Sequence, residues 1–256
     1  ALARAGGYFG EARYVDAAVG AARFLKQHMW RDGMLVRSHR QGTGSGHGFA
    51  EDYACVAAGL IDLYQVTGQR EWIEWAIELQ NVLEEKFVDR EGGGYFSSDG
   101  SDASVLLRIK EDHDGAEPAA SSVGAENALR LAAITGDEGF IGRAERIFRG
   151  FNGVVKASAT ALPRMLCAMD SRPEAGIQVV IAADEGDDTS ELVRTIFRSP
   201  LIGGVVVWSG KGRFPRVGGE HAKVSGRPTV YVCRNFVCKQ PVSEVADLQR
   251  VLDEAR

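Results

Sequence analysis

The chain has 256 residues, 45% hydrophobic and 25% charged, with a formal net charge of -5. That acidic balance speaks against a general binder of nucleic acid or anionic membrane. No stretch approaches the roughly 18 apolar residues of a membrane span. The four cysteines are too few and too scattered for a disulfide scaffold, so a reducing, cytoplasmic setting is expected.

The first residues, Ala1 to Gly7, carry no Met, no helix cap and no signal-like apolar core. They read as the end of a helix that starts elsewhere, so the chain is expected to be a fragment or a processed piece. A repeat follows. Gly10, Tyr14, Val15 and Ala18 are echoed by Gly68, Trp72, Ile73 and Ala76, and again by Gly136, Phe140, Ile141 and Ala144. Each glycine fits a left-handed helix end, and the aromatic and aliphatic residues then anchor the next helix. Apolar stripes at helical spacing run from Tyr14 to Met29, Tyr53 to Tyr64 and Trp72 to Leu83. Further helices are expected at 123–134, 141–151 and 157–169.

The connections at Gly68 and Gly136 are short, whereas those at 31–49 and 88–120 are long. Alternating helices would place all short turns at one end and the long loops at the other, where function usually sits. Small hairpins are expected in the long loops, at 33–37, 94–97 and 105–108. From Ile177 the period changes. Strands at 177–182, 203–208 and 228–233 alternate with helices at 189–198 and 243–252, the last with Ser243, Glu244 and Asp247 at its start. The predicted division is 1–170, a helical part, and 171–256, a small α/β region, with the boundary near 171–175.

Several motifs occur together: Gly48-Phe-Ala-Glu-Asp-Tyr-Ala54, Gly59-Leu-Ile-Asp-Leu-Tyr64, Gly92-Gly-Gly-Tyr-Phe96, Arg108-Ile-Lys-Glu-Asp-His-Asp-Gly-Ala-Glu-Pro118, and Tyr231-Val-Cys-Arg-Asn-Phe-Val-Cys238. With them the whole chain resembles the spermatogenesis-associated protein 20 family of thioredoxin-domain-containing proteins. The resemblance implies a mainly α fold: part of an (α/α)6 toroid of repeated helical hairpins, like the six-hairpin glycosidases and sugar epimerases, with a small C-terminal α/β appendage. It also implies an N-terminal thioredoxin-like domain outside this chain. The sequence departs from the family pattern at Glu51, where Asp is usual, at His39 (Tyr) and at Ser121 (Asn).

Candidate chemistry concentrates in the long loops. Glu51 and Asp52 open a helix there, either as a carboxylate pair facing a pocket or as ordinary first-turn acids. Glu111, Asp112, Asp114 and Glu117 cluster with Arg108, Lys110 and His113 in the second loop. Such a set suits sugar hydroxyls, or two carboxylates across a glycosidic bond; the alternative is a salt-bridged surface loop. Asp52, Glu111 and Asp112 are the candidate catalytic residues. Arg37, Tyr53, Arg108, Lys110, Asp114 and Glu117 are the candidate substrate contacts, with Tyr53, Tyr95 and Phe96 able to stack on a sugar ring or to pack beneath the loops.

The glycine-rich 42–48 segment lacks the Gly-Lys-Ser/Thr ending of a phosphate loop, so no nucleotide cofactor is expected. Cys233 and Cys238, even with His221, fall short of four zinc ligands. They read as reduced thiols ahead of a turn-closing disulfide and of zinc, and no metal is expected. Cys55 and Cys167 read as core. Two functions fit. One is a carbohydrate-binding or carbohydrate-processing toroid, which as an enzyme would be a hydrolase or isomerase using acid–base carboxylates on a sugar or other small-molecule ligand. The other is a thioredoxin-linked redox or protein-interaction scaffold.

Overall fold

A computed structural model describes residues 1–102, 105–171, 176–200, 203–215, 221–234 and 237–255. The helical part runs α1 (Leu2–Phe9), α2 (Ala12–His28), the strands β1 (Trp30–Arg31), β2 (Met34–Arg40) and β3 (Thr43–His47), α3 (Ala50–Thr67), α4 (Arg70–Val82), α5 (Ala120–Thr135), α6 (Gly139–Ala157) and α7 (Pro163–Asp170). The tail follows as β4 (Ile177–Ala182), α8 (Ser190–Arg198), β5 (Val205–Ser209), β6 (Thr229–Arg234), β7 (Val237–Cys238) and α9 (Val245–Glu254).

The repeat does what its residues dictate. Gly10, Gly68 and Gly136 sit at φ 70°, 66° and 78°, ending α1, α3 and α5, and each N–H closes on the carbonyl four residues back. That left-handed turn suits glycine because a Cβ would crowd the following carbonyl. The next helix then folds back on its predecessor. Hairpins α1–α2, α3–α4 and α5–α6 result, and α1, α3, α5 and α7 also pack side by side in that order. This two-layer stacking is the α/α hairpin arrangement expected. Between the layers lie Trp72, Trp75, Ile73, Leu79, Tyr64 and Ile61, all essentially without solvent contact.

All three glycine turns lie at one end of the layers, and the tail packs there. Its sheet has the order β5-β4-β6-β7, with β4 and β5 parallel and the other pairs antiparallel. The sheet is joined to the helices through buried polar contacts. Val206 N donates to Gln65 Oε1 (2.8 Å), Trp208 Nε1 to the Gln65 carbonyl (3.0 Å), and Gln178 Nε2 to the Ala133 carbonyl (2.7 Å). Arg213 lies 4.6 Å from the centre of the Trp208 ring and donates to the Gly68 carbonyl at 3.1 Å. The expected boundary lies mostly outside the described residues, at 172–175.

Several local expectations are corrected. The segment 157–169 is not one helix. α6 runs on to Ala157, a single 3-10 turn covers Ala159–Ala161, and α7 starts only at Pro163, whose fixed φ and missing N–H suit a first helical position. Residues 94–97 form no regular strand, only a one-bridge antiparallel pairing of Tyr95 with Val88 in which Phe96 N donates to the Phe87 carbonyl (2.8 Å) and Asp89 N to the Gly94 carbonyl (2.9 Å). Residues 105–108 are in no strand among the described residues. Ser243 does not cap α9, whose N-cap is Glu244; its hydroxyl meets Thr229 Oγ1 at 3.1 Å. Cys55 and Cys167 are exposed rather than core, and Cys233 and Cys238 are joined as a disulfide rather than reduced.

Candidate functional site

The long loops meet at the end opposite the tail, where α3, α5 and α7 begin. Here a cavity of about 420 Å³ is lined by Glu51, Lys110, Glu111, Asp112, His113 and Glu117. The structure therefore brings Glu51 to the second-loop cluster. Glu111, Asp112 and Glu117 make no ion pair among the described residues.

The other predicted residues hold the rim together. Asp52 accepts from Phe49 N (2.8 Å), capping α3, and pairs with Arg37 Nη1 (2.9 Å). Arg37 also reaches Glu51 Oε1 (3.1 Å) and lies 4.2 Å from the centre of the Phe49 ring. Burial works against its charge, but the two carboxylates outweigh that and hold its pKa above the ordinary value. Asp114 caps two helices: Oδ1 accepts from Ala119 N (2.9 Å) and Oδ2 from Arg164 N (2.8 Å). Arg108 donates to the carbonyls of Ser98 and Lys86 and stacks over Phe96. Lys110 Nζ binds Asp89 Oδ2 (2.7 Å) and the Gly93 carbonyl (2.8 Å), so its charge is neutralised at the cavity wall. Tyr53 is wholly buried. Its hydroxyl accepts from Leu35 N (2.8 Å), so it supports β2 and presents no face to a ligand. Tyr95 is likewise buried; desolvation foremost, then Glu84, raises its phenol pKa.

From Glu51 the site extends beyond the rim onto residues that are not among the candidate catalytic residues or substrate contacts. On α3 the less buried positions Glu51, Cys55, Gly59 and Asp62 follow one another at helical spacing. On α5 the equivalent positions are Glu126, Arg130 and Ala133. These stripes form the face of α3, α5 and α7 turned away from the second layer. Ion pairs cross it, Asp62 with Arg130 and Glu126 with Arg164. The thiol of Cys55 has its pKa raised by desolvation, and further by Glu117, Asp52 and Glu51. Its surroundings thus tie the stripe to the acidic rim. In the sequence this stripe shows only as Glu51 and Asp62, about three turns apart on one side of a mostly apolar helix. A second cavity of about 650 Å³ lies at the tail end of the face, lined by Arg4, Asp62, Glu126, Arg130 and Arg198.

No family model matches the chain. Spermatogenesis-associated protein 20 of Homo sapiens is 32% identical over 96% of this chain, and the Rattus norvegicus protein is 32% identical over 99%. The chain belongs to the spermatogenesis-associated protein 20 family. It spans about a third of the length of these relatives, 34% in both. An uncharacterised protein of Caenorhabditis elegans is 31% identical over 95% of this chain and 35% of its own length. Among solved structures, cellobiose 2-epimerase from Bacillus thermoamylovorans is similar with a TM-score of 0.47 and 17% identity, over 57% of this chain and 40% of that one. Along the described helices no span is long and apolar enough to cross a membrane.

Proposed function

We propose that the open face of α3, α5 and α7, with its acidic rim, binds a neutral, hydroxyl-rich ligand of the carbohydrate class. The observation that carries this reading is the gathering of Glu51, Glu111, Asp112 and Glu117 around one cavity, three of them without an ion pair among the described residues. Ionised carboxylates only accept hydrogen bonds, and sugar hydroxyls donate them. The same negative charges repel phosphorylated or carboxylated ligands. Glu111, Asp112 and Glu117 are the groups free to take part in proton transfer, while Asp52 is held by its cap and by Arg37.

A panel of neutral mono- and disaccharides, followed by thermal shift and calorimetry, tests the reading. At least one sugar should bind, and Glu117→Gln and Glu111→Gln should each weaken it about tenfold, the worth of a charged hydrogen bond. No binding by any sugar would overturn it.

A second reading, a recognition module for a protein partner in a thioredoxin-linked redox scaffold, draws support from a different feature. Leu106, Leu107 and Ile109 stand 98%, 76% and 62% exposed beside the rim. Mixed-disulfide trapping with the full-length protein separates the two, since the carbohydrate reading expects no trapped partner.

A further inference from the structure

The Cys233–Cys238 pair lies in the tail, away from the rim, and invites a chemical account. The two residues face each other across the β6–β7 hairpin with their sulfurs bonded. They are five positions apart in sequence, in a hairpin that strand pairing already closes. Such a short loop gives a cross-link little leverage over the unfolded chain. As a staple the disulfide is therefore at the low end, about 2 kcal/mol.

The two sulfurs also differ in access. Cys233 is 3% exposed within the sheet, whereas Cys238 sits on the exposed edge strand β7. His221 Nε2 lies 3.6 Å from Cys238 Sγ. That histidine is held in place by three contacts. Its N–H donates to Ser209 Oγ and its carbonyl accepts from the same hydroxyl, both at 2.9 Å, and its ring meets the Tyr231 ring edge-on at 4.6 Å. The Tyr231 hydroxyl in turn fixes the adjoining Ala222 carbonyl at 2.7 Å. An imidazole is thus positioned, by residues of β5 and β6, at the accessible sulfur of the pair.

We propose that Cys238, Cys233 and His221 form a thiol–disulfide exchange site that passes two electrons between this chain and an external dithiol or disulfide. In the reducing direction, a thiolate of the external dithiol attacks Cys238 Sγ. The Cys238–Cys233 bond breaks, and its electron pair leaves on Cys233, which takes up a proton. The reductant's second thiol, deprotonated, then attacks its own sulfur in the mixed disulfide. The electron pair returns to Cys238 Sγ, and protonated His221 stabilises the thiolate. The dithiol is oxidised to a disulfide and the protein pair is reduced to two thiols. In reverse, His221 accepts the proton of Cys238 and leaves it nucleophilic.

The test uses the chain in a Cys55→Ala, Cys167→Ala background, which removes the two other exposed thiols. Dithiothreitol is added under native conditions, free thiols are alkylated, and the modified peptides are counted by mass spectrometry. The pair should be reduced while the protein stays folded, faster than global unfolding measured by hydrogen exchange, and oxidised glutathione should restore it. Cys233→Ala should leave a stable glutathione adduct on Cys238, while Cys238→Ala should leave none on Cys233. His221→Gln should slow exchange about tenfold with an unchanged circular dichroism spectrum. Reduction only upon unfolding, equal adducts at the two cysteines, or an unaltered rate in His221→Gln would each overturn the proposal. So would a reduced protein that binds one zinc ion and then ceases to exchange.

Discussion

Asp114 accepts a hydrogen bond from the backbone N–H of Arg164 at 2.8 Å while its other oxygen accepts from Ala119 at 2.9 Å. One loop carboxylate thereby fixes the starts of both α5 and α7, and with them the spacing of the open face. Replacing Asp114 with Ala removes two caps and should cost about 2 kcal/mol, taking each as about 1 kcal/mol. Asp114→Asn keeps one acceptor oxygen and should cost about half as much. The midpoints of urea denaturation check both values.

Gly68 is required by its conformation and by its neighbours. At φ +66° a Cβ would lie 2.5 Å from Trp208 Cδ2 and 2.7 Å from Arg213 Nη1. Gly33 has φ +76° but open space around it. Gly68→Ala should therefore destabilise clearly more than Gly33→Ala, which meets only the backbone cost of about 1 kcal/mol. Paired thermal melts of the two variants decide the order.

Tyr53 separates support from binding. Tyr53→Phe leaves the Leu35 N–H without its partner in a buried setting and should cost about 1–3 kcal/mol. Sugar affinity, measured by calorimetry below the melting range, should stay within about twofold, since that is well under the 1.4 kcal/mol of a tenfold change.

Asp89 sets part of the acid stability. Its hydrogen bond from Lys110 foremost, opposed by desolvation and aided by the N–H groups of Gly92 and Glu91, holds its folded pKa below the ordinary value. A depressed folded pKa adds stability that is fully present above the unfolded pKa, about 4, and is lost as pH falls through the folded one. Wild type should therefore lose stability below about pH 4 more steeply than Asp89→Asn. Denaturation midpoints collected from pH 6 to pH 2 compare the two slopes.

Much of the fold was legible because the glycine–aromatic repeat encodes both the turn and the anchor of each hairpin. The periodicity of α3 and α5 likewise marks their buried sides. Local polar chemistry was harder to read. Asp114, Arg108 and Lys110 are the residue types of a binding loop, yet their partners are backbone groups and an acid that no sequence spacing reveals. Tyr53 follows the two acids of the first turn, but the helix turns it inward beneath β2. Cys55 reads as core because the small residues Ala58 and Gly59 on the same side make its exposed stripe look apolar. Asp62 and Arg130 pair across two helices far apart in the chain, which only the packing of α3 against α5 brings together.

The proposed activity depends on ligand engagement at the acidic rim. Backbone and side-chain carboxyl shifts of isotopically labelled protein, followed during titration with a neutral sugar that binds, test this most directly. The predicted result is perturbation centred on Glu51, Glu111, Asp112 and Glu117, extending along α3 to Asp62. Perturbations confined to the exposed Leu106–Ile109 segment or to the tail, with the rim carboxyls unmoved, would contradict it.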